Sequence, residues 1–284
     1  MRQERSEAVV PALIRPLAPI AREGIRPARG RNPLEMSAGA TLAVALLALG
    51  VFGCKSSRST APPPNAPLPL VASYPLGLSE PSDLAIDDTG TILWTVTNNP
   101  DSVYQLDLTG KRVKTLKYAG QDLEGITYDR SDQTLWVAEE NRREVVHLDL
   151  DGNVLSRHSL ALTGEVNSGL EGICLDDAGR MFLLNEKNPG LFIQLNPALS
   201  ISAIDTLHFA GDYSGLSYQP GSASFWIVSD QSQRLYRWSK TLGVLKEYGL
   251  PYSKAEGVAF DPATNLVYIV SDLENKLYIY QYSP

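Results

Sequence analysis

The chain has 284 residues, 43% of them hydrophobic and 20% charged, a balance ordinary for a soluble globular protein. Its formal net charge of −7 hides an asymmetry: residues 1–53 hold seven Arg, no Lys and four Glu, or +3, which leaves −10 on the remainder. A body that acidic repels phosphate backbones, which argues against nucleic acid as a partner and in favour of cations or basic ligands.

At the N-terminus, Arg22, Arg26, Arg29 and Arg31 precede an uncharged run rich in Ala and Leu, Ser37–Gly53. A basic leader, a short apolar core and small residues before a cut describe a secretory signal over residues 1–53. Val51-Phe52-Gly53-Cys54 resembles the bacterial lipoprotein box, in which cleavage precedes a cysteine that is then acylated, although Phe52 is bulkier than usual there. Cys54 is thus the expected lipidation site. An uncleaved membrane anchor is the alternative, but 17 residues sit at the bottom of the spanning range. Translation could also start at Met36, which would leave the apolar run without a basic leader. Residues 54–70 follow with Pro62, Pro63, Pro64, Pro67 and Pro69, which favour extended polyproline II and make a stiff tether. The expectation is a monomer in the cell envelope, lipid-anchored to a membrane and facing the periplasm or the exterior.

Residues 71–284 read as repeats. Equivalent positions fall at Asp83, Gly125, Gly172, Gly215 and Gly257, separated by 42, 47, 43 and 42 residues, the period of a four-stranded propeller blade. Each unit opens with a strand that ends near a turn, such as Asp87-Asp88-Thr89-Gly90. A second strand follows, with Trp94, Trp136, Phe182, Trp226 or Tyr268 at one equivalent place, where the ring packs between neighbouring blades. Third strands are expected at 103–108, 145–150, 191–196, 235–239 and 277–281, and fourth strands near 113–118 and 154–160. Cys174 lies in an apolar strand pattern and reads as a small core residue, so the two cysteines form no disulfide framework. The fifth unit ends after its third strand. The unassigned strand Val71–Leu76 therefore closes the last blade, which gives an all-β, five-bladed propeller of four-stranded antiparallel blades.

The first strands of a propeller line its channel. The residues before them are Ser82, Glu124, Glu171, Ser214 and Glu256; those at the ends of the second strands are Asn98, Glu140, Glu186, Asp230 and Asp272. Ten positions at one mouth thus carry seven carboxylates and no residue without oxygen. Converging carboxylates either take up protons or bind a cation. Oxygen donors without His or Cys suit Ca²⁺, which takes six to eight of them. Zinc does not fit, because His147, His158 and His208 are expected in third or fourth strands away from this mouth. A merely solvated acidic mouth is the plain alternative, and Glu-Gly also recurs because Gly eases the turn into the strand.

Asp122-Leu123-Glu124-Gly125-Ile126, Gly169-Leu170-Glu171-Gly172, Asn185-Glu186-Lys187-Asn188-Pro189, Tyr213-Ser214-Gly215-Leu216 and Ala255-Glu256-Gly257-Val258-Ala259 resemble the bacterial SdiA-regulated family over essentially all of residues 71–284. The resemblance implies a five-bladed propeller, distantly akin to NHL-repeat propellers, with bound calcium and no defined biochemical role. Its Glu-Gly positions here are Glu124, Glu171 and Glu256, whereas Ser82-Asp83 and Ser214 depart from the pattern.

Two functional readings follow. One is a calcium-binding module that recognises a protein or small molecule at the acidic face, with the metal either part of that recognition or purely structural. The other is a calcium-dependent hydrolase, lactonase-, esterase- or phytase-like, with the metal polarising a carbonyl or phosphate oxygen and Glu140 or Glu186 as base. A phosphate site would draw on Lys187, Lys254, Arg142 and Arg143, which otherwise read as surface charges. The binding reading is preferred, since no Ser-His-Asp arrangement, phosphate loop or zinc spacing occurs.

Overall fold

Twenty strands, and no helix, make up the described residues, 66–163 and 168–284 of the computed structural model. The expected signal segment 1–53, the expected lipidation site Cys54 and the expected tether as far as residue 65 lie outside them. After β1 (Leu70–Pro75) the chain lays down five consecutive antiparallel units. The first blade is β2 (Pro81–Ile86), β3 (Leu93–Asn98), β4 (Asp101–Leu106) and β5 (Arg112–Thr115). The second is β6 (Leu123–Asp129), β7 (Thr134–Glu139), β8 (Glu144–Leu148) and β9 (Val154–Ser159). The third is β10 (Leu170–Leu175), β11 (Met181–Asn185), β12 (Leu191–Leu195) and β13 (Ile201–Thr206). The fourth is β14 (Gly215–Gln219), β15 (Ser224–Ser229), β16 (Arg234–Ser239) and β17 (Gly243–Gly249). In the fifth, β18 (Ala255–Asp261), β19 (Leu266–Ser271) and β20 (Lys276–Gln281) are completed by β1, in the order β1-β20-β19-β18.

The closure expected from the short fifth unit is therefore made, with β1 antiparallel to β20 from Leu70↔Tyr280 to Pro75↔Lys276. Several strands begin earlier than the sequence suggests. In β4, Asp101 already pairs with Asn98 across a tight turn, which starts the strand two residues before Val103. β5 stops at Thr115 because Leu116 and Tyr118 turn inward and become buried between blades.

Five hydrophobic clusters form the core, and each spans two adjacent blades. The aromatic series supplies one ring to each: Trp94 packs with Leu123 and Ile126, Trp136 with Met181 and Leu183, and Phe182 with Phe225 and Trp238. Trp226 packs with Phe260, and Tyr268 with Leu84 and Leu93. These rings hold blade to blade, as side chains that bury 150–250 Å² apiece are suited to do. Cys174 is buried in the same way, in the cluster between the third and fourth blades.

The repeated glycines work differently from the expected easing of a turn. A Cβ on Gly125 would lie 2.2 Å from the Glu171 carbonyl oxygen, and one on Gly172 would lie 2.4 Å from Leu216 N. Gly215 and Gly257 are as tight, 2.4 Å from Glu256 O and from Asp83 Cα. Glycine is needed there so that neighbouring inner strands can approach backbone to backbone. The first blade has Asp83 at this place. Its carboxyl is fully buried and its Oδ2 accepts the Ile126 N–H at 3.0 Å.

Candidate metal-binding mouth of the channel

The mouth side chains are aimed by β-bulges. In β6 the pairs are Leu123↔Glu139 and Gly125↔Ala138, so Glu124 is the extra residue between them. The same one-residue shift falls at Ser82 between Pro81 and Asp83, and at Glu256 between Ala255 and Gly257. In β10 it falls between Leu170 and Ile173, around Glu171. A bulge breaks the alternation of a strand and re-aims one side chain, here into the channel. The mouth glutamates are thus the second residues of their strands rather than residues preceding them.

A further set of positions lies two residues before Ser82, Glu124, Glu171, Ser214 and Glu256: Glu80, Asp122, Gly169, Asp212 and Lys254, of which only Lys254 stands out in the sequence, as a loop cation. Glu80, Asp122 and Lys254 adopt left-handed backbone conformations, with φ of 48°, 58° and 53°. This costs a side-chain-bearing residue about 1–2 kcal/mol. The carbonyls of Asp122, Gly169 and Lys254 receive the N–H groups of Glu140, Glu186 and Asp272, each at 2.9 Å, so the kink clasps the end of the second strand to the start of the first. At Gly169 a Cβ would meet Glu140 Cγ at 2.8 Å, and the Gly169 N–H donates to Glu140 Oε1 at 2.7 Å.

The seven carboxylates fall into two environments. On the side of the second and third blades, Asp122, Glu124 and Glu140 form one group, and Glu140, Glu171 and Glu186 another. Within each group one ligand atom per residue lies within 4.8 Å of the others, and Glu140 belongs to both. On the side of the fourth and fifth blades, Lys254 takes the place of a cation. Its N–H donates to Asp230 Oδ1 at 2.6 Å and its Nζ lies 3.6 Å from Asp230 Oδ2 and 3.3 Å from Glu256 Oε1. Asp272 sits within the fields of Lys254, Glu80 and Asp230. Lys187 pairs with Glu186 at the edge of the first environment. The two lysines, expected as surface charges, thus neutralise mouth carboxylates. Arg142 instead turns to the fully buried Glu139, and Arg143 donates to the Leu162 carbonyl.

Electrostatics follow this division. Burial pushes Glu124 up to about 8, against hydrogen bonds from Asn98 and Ser82 and with the help of Asp122 and Glu140. Glu140 rises to about 7 through burial, offset by the Gly169 N–H. Glu171 touches solvent through the mouth, yet burial and then the charges of Glu124, Glu256, Glu186 and Glu140 raise it well above the carboxylate range. Glu256 also rises to about 7 by burial, although Lys254 pulls it down. Groups held this far from their ordinary values are carboxylates that want either protons or a cation.

The donor set fits a hard cation. Two oxygens each bonded at about 2.4 Å to one ion stand at most about 4.8 Å apart, the spacing found in both groups. Asn98 adds a further oxygen: its Nδ2 donates to Glu124 Oε1 at 2.8 Å, while its buried Oδ1 has no hydrogen-bond partner. Glu124, Glu140, Glu171, Glu186 and Asp122 could hold the ion, with Asn98 beside them. Glu256, Asp230 and Asp272 lie on the side that Lys254 serves.

The histidines stay out of the mouth. His147 in β8 stacks on Trp136 at 4.1 Å and His158 lies in β9. His208 is not in a strand as expected; it is exposed in the connection that follows β13.

Fold and site together define a five-bladed β-propeller with an acidic, oxygen-lined channel mouth. Residues 76–281 match the SdiA-regulated family, and the chain belongs to that family. Among solved structures it is similar to Myxococcus xanthus glutaminyl cyclase, at 11% identity and a TM-score of 0.58 over 76% of this chain and 100% of that one. It is also similar to Kuenenia stuttgartiensis hydrazine synthase, at 11% identity and a TM-score of 0.52 over 72% of this chain and 84% of that one. At such identity the likeness is one of fold alone.

Proposed function

We propose that the protein is a calcium-binding propeller module, held at the cell envelope by a lipid on Cys54, that recognises a protein or small-molecule ligand at its acidic mouth. The observation that carries the reading is Glu140, whose carboxylate is common to two groups of three acids with ligand atoms within 4.8 Å. The ion would sit between the second and third blades, held by Asp122, Glu124, Glu140, Glu171 and Glu186, and would offset the burial, and then the repulsion, that raise three of them. Positions in the shell of Ca²⁺ left open by these acids would face the solvent side of the mouth, where a ligand oxygen could enter. The protein would stand off the lipid surface on its Pro-rich tether.

A hydrolytic role is the second reading, favoured by Glu140 alone: a carboxylate at about 7 is poised to take a proton at neutral pH. The same carboxylate is the centre of the ligand set, and a group bound to the metal is not free as a base, so binding remains the preferred function.

Calorimetric titration of the full chain with Ca²⁺ tests the assignment. Glu140→Gln should weaken affinity at least 100-fold, whereas Asp272→Asn, on the Lys254 side, should leave it within about threefold. Equal affinities for the wild type and Glu140→Gln would refute the site.

A further inference from the structure

The channel has a second opening. The inner strands all start at the acidic mouth and run away from it, and between their first and last residues lies the waist set by Gly125, Gly172, Gly215 and Gly257. Backbone-to-backbone approach at the waist leaves no room for a Cβ at these positions, and Asp83 fills the fifth place. Beyond the waist the inner strands line a cup of about 420 Å³. The propeller is thus two vessels set back to back, and the second is built from residues that the metal site does not use.

The cup has the character of a small-molecule pocket, which is typically 300–1,000 Å³ with apolar walls and few polar groups. Ile86 and Leu175 form its accessible apolar part, backed by the buried Leu84, Ile126, Ile173, Leu216 and Phe260. Its rim is aromatic and acidic: Tyr128, Tyr218, Asp129, Asp176 and Asp177, with Arg130 exposed to solvent. The phenols are held by acids. Tyr218 donates to Asp177 Oδ2 at 2.9 Å, and Tyr128 faces Asp88 Oδ1 at 3.5 Å. Both are pushed up, Tyr218 to about 12, by burial first and then by these carboxylates, so the rim carries a negative field. Asp83, at the fifth place of the waist, is bonded through Oδ2 to the N–H of Ile126, itself a residue of the cup. Its fully buried Oδ1 has no hydrogen-bond partner.

We propose that this cup is a second ligand site, independent of the metal mouth, for a small organic cation with an apolar body. The body packs on Ile86 and Leu175, over the buried Ile126, Ile173 and Leu216. The charged head is attracted by Asp129 and Asp177 and by the ring faces of Tyr128 and Tyr218, since cations favour the negative face of an aromatic ring. Asp176 contributes less, because Arg180 lies 2.6 Å from it.

The test uses three probes of one size and different charge, benzylammonium, benzyl alcohol and benzoate, with the full chain labelled at isoleucine methyls. Benzylammonium should shift the Ile126 and Ile173 methyl signals saturably at millimolar concentration. Benzyl alcohol should bind at least tenfold more weakly, and benzoate not at all. Asp177→Lys should weaken benzylammonium at least tenfold, whereas Glu140→Gln, in the other mouth, should leave it unchanged. Unmoved Ile126 and Ile173 signals, or benzoate binding as well as benzylammonium, would overturn the proposal. Loss of binding in Glu140→Gln would move the cation to the acidic mouth and overturn it equally. The charge series on the wild type decides the matter even if Asp177→Lys fails to fold.

Discussion

Glu139 and Glu140 are adjacent, both buried, and put to opposite uses. Glu139 faces away from the channel, where it accepts hydrogen bonds from the Tyr118 hydroxyl, the Gln121 N–H and Arg142, with Arg157 also at 3.4 Å. Glu140 faces into the mouth. Removing Glu139 would leave two buried or half-buried donors unpaired, while the arginines, both more than a third exposed, could return to water. Glu139→Ala should therefore lower stability by about 2–4 kcal/mol in urea unfolding and leave calcium affinity unchanged. The offset of 14 or 15 residues from each repeat position placed Glu140 in the mouth from the sequence, because the repeat fixes strand ends. Asp122 read only as the first residue of the Asp-Leu-Glu-Gly run and not as a site residue, since an acid just before a strand looks like any loop acid. Its role depends on a left-handed kink that the sequence does not announce.

The mouth acids also set a pH dependence. Glu124, Glu140 and Glu256 stand at about 8, 7 and 7 against an ordinary 4.5, so the folded state holds their protons better than the unfolded chain does. Their contribution to stability is full below about pH 4.5 and is lost as pH rises through 7 to 8. In chelator, the melting temperature should fall between pH 5 and pH 8.5. With excess Ca²⁺, which binds the ionised form, the slope should flatten or reverse. A metal-free melting temperature that rises over this interval would contradict the electrostatic picture.

At the scale of elements, each blade is bound to the next by one aromatic, and by a glycine close approach everywhere except between the first and second, which Asp83 joins; both were partly legible. Trp94, Trp136, Phe182, Trp226 and Tyr268 could be aligned by eye, because the second strand is the most apolar part of every unit. The glycines were legible as a pattern but not as a cause; only the distance to the next blade shows that a Cβ has nowhere to go. Gly172→Ala, with Leu216 N at 2.4 Å and Gly215 C at 2.8 Å from the added carbon, should cost about 3 kcal/mol or more, or prevent folding. Gly179→Ala, where nothing lies within 4 Å, should cost only what its φ of +71° imposes, about 1–2 kcal/mol. Comparable losses in urea unfolding would contradict the close-approach argument. Strand β1 offers a second check. Deleting residues through Pro75 would bare the edge of β20, with Tyr278, Ile279 and Tyr280 in it, and the truncated protein should aggregate or lose cooperative unfolding.

Over the whole molecule, the sequence showed one ring of acids where the structure has two halves. The reason is that Lys254 and Lys187 are local neighbours of mouth residues in the chain, but whether a long side chain turns outward or folds back onto an acid is decided in three dimensions. Lys254 folds back onto Glu256 and Asp230, and in doing so confines the cation-seeking half of the mouth to the second and third blades. The second cup was not foreseen at all, because its residues lie towards the ends of the inner strands, where no residue pattern records an open space.

The central claim is that this half of the mouth binds calcium in the folded state. Thermal unfolding of the full chain, with Ca²⁺ at about 100 times its dissociation constant and with a chelator, measures it directly. Mass action gives about 2.7 kcal/mol, or a rise of roughly 5–10 °C for a body of this size. Such a rise, lost in Glu140→Gln and kept in Asp272→Asn, is the predicted result. An unchanged melting temperature in the wild type would contradict the claim and leave the mouth as a protonated or solvated acidic surface.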